Sequence, residues 1–191
     1  MAGRQAKTVS DAVKRKALAA AARSTSPERN QVIVLLSIRA GLRACEIAGL
    51  DWTMVLDGDG RLGRSLEVRD SIAKKGSGRR VPLHSELRTA LAKLKKRSGA
   101  SGPVIRSSRG GAMRPNSIVN WFVELYASIG ADGCSSHSGR RTFITHAARK
   151  AHKAGASIRD VQLLAGHRSI ETTQRYIDGD TDAQRRLVSV L

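Results

Sequence analysis

His137-Ser-Gly-Arg140-Arg-Thr-Phe143, Leu163-Leu-Ala-Gly-His167 and Thr172-Thr-Gln-Arg-Tyr176 follow one another across residues 137–176. Their segments, 138–150, 157–164 and 169–177, read as consecutive short helices separated by turns. The stretch gathers one phenol, two imidazoles and a guanidinium of potential use. A Tyr hydroxyl has a pKa of about 10, so on the order of one molecule in a thousand is ionised at neutral pH. To attack anything it needs a base beside it and a cationic grip on its target. Imidazole titrates near pH 6.5, at about the right place for proton traffic. Guanidinium holds a phosphate through two parallel donors. The rest of the chain has to supply the other half of such a site.

Composition narrows the target. The chain has 191 residues, with 34 Lys and Arg against 16 Asp and Glu, a net charge of +18 and a pI near 11.3. That length allows one substantial domain with a proper core. That excess of charge points to a polyanion, of which nucleic acid is the commonest. A membrane surface is disfavoured, because no long apolar run and no basic amphipathic anchor stands out. The N-terminal Met-Ala-Gly-Arg-Gln is polar and basic, with none of the apolar core of a signal peptide. Cys45 and Cys134 have neither metal-ligand nor disulfide-framework spacing. They read as reduced thiols of a cytoplasmic protein, and Cys45 as a small buried hydrophobe. No His/Cys grouping has zinc spacing, and no metal is expected.

Residues 1–25 are basic and Ala-rich; 10–23 can form a helix burying little, a basic arm docked on the body or on DNA. Ser26-Pro27-Glu28 is a helix start. The helix it opens carries Val32, Ile33, Leu35, Leu36 and Ile38, and stops at Gly41. Apolar on most sides, it belongs in the core. A short helix from about Leu42 puts Arg43 and Glu46 on one face at i, i+3 spacing. Residues 53–56, 65–72 and 79–83 read as strands of a small antiparallel meander. Gly58-x-Gly60-x-x-Gly63 matches a dinucleotide fingerprint in letters only, since it opens no helix. Helices follow at 85–97 and 115–129, the second with a stripe of Ile118, Trp121, Phe122, Leu125 and Ile129 and with Tyr126 as a core or boundary aromatic. A last helix is expected at 182–190. The class is α+β: mainly α with a small antiparallel β-sheet.

Taken in order, Gly41-Leu-Arg43-x-x-Glu46-Ile, Lys74 in a turn before Val81-Pro82-Leu83, His137-x-x-Arg140, Gly166-His167 and Tyr176 resemble the catalytic domain of the tyrosine recombinases, the phage integrase family. The resemblance covers residues 26–176. Each motif is weak alone; the five in order on a basic chain are specific.

The resemblance implies attack of Tyr176 on a DNA phosphodiester, giving a 3′-phosphotyrosine and a free 5′-hydroxyl. A second strand's 5′-hydroxyl then reverses the step onto a new partner, with neither ATP nor metal nor other cofactor. The roles suit the residue types. Arg43 and Arg140 are permanent forked donors for the non-bridging oxygens. His167 adds a hydrogen bond, and His137 manages the proton of Tyr176. Lys74, or Lys75 if the hairpin differs by one residue, protonates the leaving oxygen. Glu46 orients the site. Lys75, Arg79, Arg80 and Arg141 are expected on the DNA backbone. The partners so implied are double-stranded DNA, further copies of the chain in a tetramer, and accessory DNA-bending or core-binding proteins. The place of action would be the bacterial cytoplasm, at the nucleoid or a mobile element.

The expected organisation is an arm at 1–25, a catalytic domain at 26–180 and a terminal helix at 181–191 exchanged with a neighbouring subunit or folded on its own core. About 25 residues before the catalytic region are too few for the separate N-terminal domain of most members, so the sequence reads as a minimal recombinase or a fragment. Two other readings stay open: a non-catalytic DNA-binding protein with the same fold, and a relaxing enzyme of the topoisomerase IB kind.

Overall fold

Helix α2 (Pro27–Arg39) is the most enclosed element, with Val32, Ile33, Val34, Leu35, Leu36 and Ile38 all buried. Pro27 pre-sets the first helical φ and Glu28 meets the positive end of the helix dipole. The helix ends at Gly41, whose φ of +63° is open to glycine at little cost, and Leu42 N donates back to Leu36 O. The structure is a computed structural model and describes residues 6–73, 76–176, 185, 188 and 189. It divides into two compact units, Met1–Phe143 and Ile144–Leu191.

In the first unit, α1 (Asp11–Ala22) is capped by Ser10, whose side chain accepts from Val13 N. Its buried residues are Ala17 and Ala21, small enough for close approach to α2. In the described part of the basic N-terminal stretch, α1 packs on α2 and Val9 N donates to Thr142 Oγ1 at 2.7 Å. Then come α3 (Ala44–Gly49), β1 (Ser65–Val68), β2 (Arg79–Pro82), α4 (Ser85–Ser98) and α5 (Pro115–Ser128). Helix α4 lays Leu87, Leu91 and Leu94 against α2, and His84 Nδ1 caps it by accepting from Glu86 N. Helix α5 buries Ile118, Phe122, Leu125 and Tyr126 and packs on α3 and α1. Tyr126 is a core aromatic stacked on Phe122, and burial pushes its phenol upward, out of reach of ionisation.

Three sequence expectations change. Residues 53–56 do not form a strand. Asp51 Oδ1 captures both Thr53 N and Thr53 Oγ1, which closes a 3-10 turn at Trp52–Met54. The sheet is therefore a two-stranded antiparallel hairpin, with Ser65 opposite Pro82 and Val68 opposite Arg79. Strand β1 stops at Val68 instead of reaching Ile72, because Arg69–Ala73 curls on its own carbonyls and Asp70 Oδ1 accepts from Gly78 N. Cys45 and Cys134 are half-buried, not enclosed.

Helix α6 (Ser138–Ala151) begins in the first unit and ends in the second. The second unit continues with a 3-10 turn at His152–Ala154, α7 (Ile158–Ala165) and α8 (Ile170–Gln174). Ser157 and Asp160 form a capping box at the start of α7. Gly166, with φ of +63°, ends it. Helices α7 and α8 pack together, with Val161, Gln162, Ala165 and Thr173 buried. Most of the helix expected at 182–190 lies outside the described residues, as do Lys74 and Lys75. Among the described residues no helix is long and apolar enough to cross a membrane.

Candidate active site

The arginine side of the site is built at the join of α2 and α3. Arg43 is not inside α3, as the spacing suggested, but is its N-cap. Its backbone N donates to Glu46 Oε2 at 2.9 Å and its Nη1 to Glu46 Oε1 at 2.7 Å, so one carboxylate fixes both ends of the residue. Glu46 has a side-chain exposure of 0%. A buried carboxylate is costly unless matched, and the match comes from a second arginine. Arg79 Nη1 lies 3.0 Å from Glu46 Oε1, and Nη2 2.9 Å from Oε2. Burial pushes the Glu46 carboxyl upward, but the hydrogen bonds and charges of Arg79, then of Arg43, outweigh it and hold it at about 2.

Arg79, expected on the DNA backbone, is thus enclosed, with 5% of its side chain exposed. The strand period carries the reason. Arg79 and Val81 share a face of β2, and Val81 is buried, so Arg79 is directed inward while Arg80 is exposed. That alternation was readable in Arg79-Arg80-Val81-Pro82, but not the carboxylate it would meet.

Arg140 is 4% exposed, and its Nη1 donates to Gly41 O at 2.6 Å. Two glycines allow this. A Cβ on Gly139 would lie 2.2 Å from Ser37 Oγ, and one on Gly41 2.4 Å from Phe143 Cδ1. A side chain at either position would force Ser37 or Phe143 to shift. His137 is exposed in the turn before α6, where its carbonyl accepts from Arg141 N. Arg141 is half-buried and Arg80 stands opposite Glu67 in the hairpin.

The second unit gathers its own pair. The imidazole of His167 and the ring of Tyr176 stack with centroids 5.5 Å apart and planes at 22°. His167 sits just past Gly166. Its N donates to Gln162 O, Gln162 Nε2 donates to its carbonyl at 3.0 Å, and its Nδ1 lies 2.9 Å from Thr173 Oγ1. Tyr176 N donates to Thr173 O, and Thr145 Oγ1 donates to Tyr176 O at 3.3 Å. Gln162 and Thr173, both buried, therefore hold the pair. Sequence reasoning passed over both, since a polar residue inside a short amphipathic helix carries no mark of its partner. The structure thus brings Arg43, Glu46 and Arg79 together, and His167 with Tyr176.

Comparison with known proteins gives one consistent outcome. The pattern described as the phage integrase family matches residues 7–182. A tyrosine recombinase XerC of Brucella suis biovar 1 (strain 1330) is 32% identical over 168 residues, 85% of this chain and 49% of that protein. The XerC of Myxococcus xanthus is 34% identical over 160 residues, 78% of this chain and 49% of its own. The chain spans about half the length of these curated relatives. Among solved structures, XerA recombinase superposes with a TM-score of 0.75 at 23% identity, over 97% of this chain and 65% of that one. The Tn1549 transposon integrase in complex with transposon right end DNA gives 0.76 at 18% identity, over 100% of this chain and 67% of that one. A lambda integrase tetramer bound to a Holliday junction gives 0.67 at 19% identity, over 91% of this chain and 49% of that one. These likenesses show the fold, a mainly helical domain with a small antiparallel sheet. By that fold and by a family match running over nearly its whole length, the chain belongs to the phage integrase family of tyrosine recombinases.

Proposed function

We propose that this chain cuts and rejoins DNA strands at specific sites through a transient 3′-phosphotyrosine. The Tyr176 oxygen attacks a backbone phosphorus, the phenolic proton leaves, and the bond to the 5′-oxygen breaks. That oxygen takes a proton from Lys74 or Lys75. Attack by the 5′-hydroxyl of a second strand expels Tyr176, which recovers its proton, and the phosphodiester is restored on a new partner. The phosphoester bond energy is kept throughout, so the cycle closes without a nucleotide cofactor.

The observation that carries this reading is the stack of Tyr176 on His167, in a chain whose family match spans both. A Thr173 hydroxyl donating to Nδ1 leaves His167 Nε2–H as a donor for a non-bridging oxygen; a protonated ring donates from both nitrogens. Arg43 and Arg140 are the fixed donors for the charge that develops on those oxygens. His137 serves the phenolic proton, and Arg80, Arg141 and Lys75 contact the backbone.

Residues 26–180 carry the reaction, and 181–191 dock on a neighbouring copy in a tetramer on double-stranded DNA, with accessory DNA-bending or core-binding proteins, in the bacterial cytoplasm. The lambda integrase solved as a tetramer on a Holliday junction supports the assembly.

The test is a nicked suicide duplex followed by a denaturing gel. A covalent protein–DNA adduct is expected from the unaltered chain and none from Tyr176→Phe, with retention of the duplex unchanged within about twofold because a phenyl ring keeps the packing. Binding with no adduct from the unaltered chain would make this a non-catalytic member of the family.

A further inference from the structure

We propose that Arg79 is a positioning residue for strand cleavage: it satisfies the buried Glu46 and so leaves the Arg43 guanidinium both aimed and uncancelled. This rests on the reading in which Arg43 grips the reacting phosphate.

The geometry divides the labour between the two arginines. Arg79 sets both nitrogens of its fork on Glu46, one on each oxygen, at 3.0 and 2.9 Å. Arg43 commits one guanidinium nitrogen to the same carboxylate, at 2.7 Å. The side chain of Arg79 is 5% exposed and that of Arg43 21%. One arginine is thus consumed as a counterion and the other reaches the surface. Two guanidiniums around one carboxylate leave one unit of positive charge, and Arg43, the less buried of the two, presents it. A lone Arg43–Glu46 pair would be neutral. Both Glu46 oxygens would then draw the Arg43 fork into the side-on geometry that carboxylates favour, turning it towards α3 and away from a ligand. Arg79 also ties the first residue of β2 to α3, so the hairpin and the helix hold Arg43 as one piece.

Loss of this support shifts a reacting group by about an ångström, worth on the order of 100-fold in rate. The experiment is single-turnover adduct formation by the 191-residue chain on the nicked duplex, at saturating protein, with the thermal midpoint of each variant measured alongside. Arg79→Gln is expected to slow the maximal rate ~100-fold while moving the half-saturating concentration less than about threefold, the signature of a group acting on the reacting geometry. Arg79→Lys restores the buried charge without the fork and serves as the readout should Arg79→Gln fail to fold; its rate falls ~10-fold with a midpoint near that of the parent. The double variant Glu46→Gln with Arg79→Gln recovers most of the lost rate, because a neutral amide no longer cancels Arg43. If Arg79→Lys and Arg79→Gln lower the midpoint but leave the rate of the folded protein unchanged, Arg79 is merely structural and the proposal fails. It fails equally if the double variant is no faster than Arg79→Gln. An unaltered chain that forms no adduct overturns the functional reading instead, and this inference with it.

Discussion

In the unit Met1–Phe143 the two arginines proposed for the site hang from enclosed groups: Arg43 from Glu46, Arg140 from the carbonyl of Gly41. In the unit Ile144–Leu191 the tyrosine stands two residues beyond a helix of five, α8, next to a histidine set by one hydroxyl and one buried amide. The contrast fits the roles proposed for these groups. Donors that meet developing charge are effective when fixed beforehand. A nucleophile has to approach, bond and leave. Five helical residues have almost no stability of their own, so the tyrosine depends on α8 staying packed against α7.

The contrast can be broken on either side. The largest effect expected is from Arg140→Ala, which removes a fixed donor: adduct formation should fall by ~10³-fold, with duplex binding only modestly weakened because other cations share the backbone contacts. Normal cleavage by Arg140→Ala would remove it from the site. Next in size is the pH response of the buried carboxylate. Glu46 ionises at about 2 in the fold against an ordinary 4.5, so folding favours its deprotonated form. Its contribution, on the order of 3 kcal/mol, is complete above the unfolded value and drains away as pH falls from about 4.5 towards 2. Urea titrations across that window should show the loss, and Glu46→Gln should flatten it.

Gly139→Ala tests the helix crossing. Its methyl meets Ser37 Oγ and Cβ, and a cost of about 2 kcal/mol in unfolding free energy is expected, partly relieved by adding Ser37→Gly. The smallest effect belongs to the tyrosine side. Thr173→Val keeps the shape but removes the hydroxyl that orients His167, and a rate lowered ~10-fold is expected. A ~1000-fold loss there would mean that the second unit is as rigidly specified as the first, and would erase the comparison.

Much of this was legible from the chain. Ser26-Pro27-Glu28, the apolar stripe of α5 and Gly166 mark helix ends and faces through local rules, and those elements stand close to where the rules put them. The spacing of Arg43 and Glu46 pointed to a pair, and the structure joins them; His167 and Tyr176, singled out in neighbouring segments, lie stacked. Thr53–Leu56 misled because β-branched and apolar letters favour a strand, while one preceding carboxylate, Asp51, decided the turn. Arg79 misled for a different reason. A cation on a basic chain reads as a DNA contact until its burial is known, and burial depends on a partner 33 positions away. Thr173 and Gln162 were silent because their value lies wholly in a tertiary bond.

The glycine at the crossing of α2 and α6 has an engineering consequence. Where Gly139 faces Ser37, main chain on one side meets the Ser37 hydroxymethyl and the Ile38 side chain on the other. The Ile38 side chain closes the contact, with its Cγ1 3.1 Å from where a Cβ on Gly139 would stand. A residue that enlarges either side of this contact therefore pushes on the first turn of α6, the turn that carries Arg140. Stabilising this scaffold by filling space is therefore best begun away from Gly139 and Gly41.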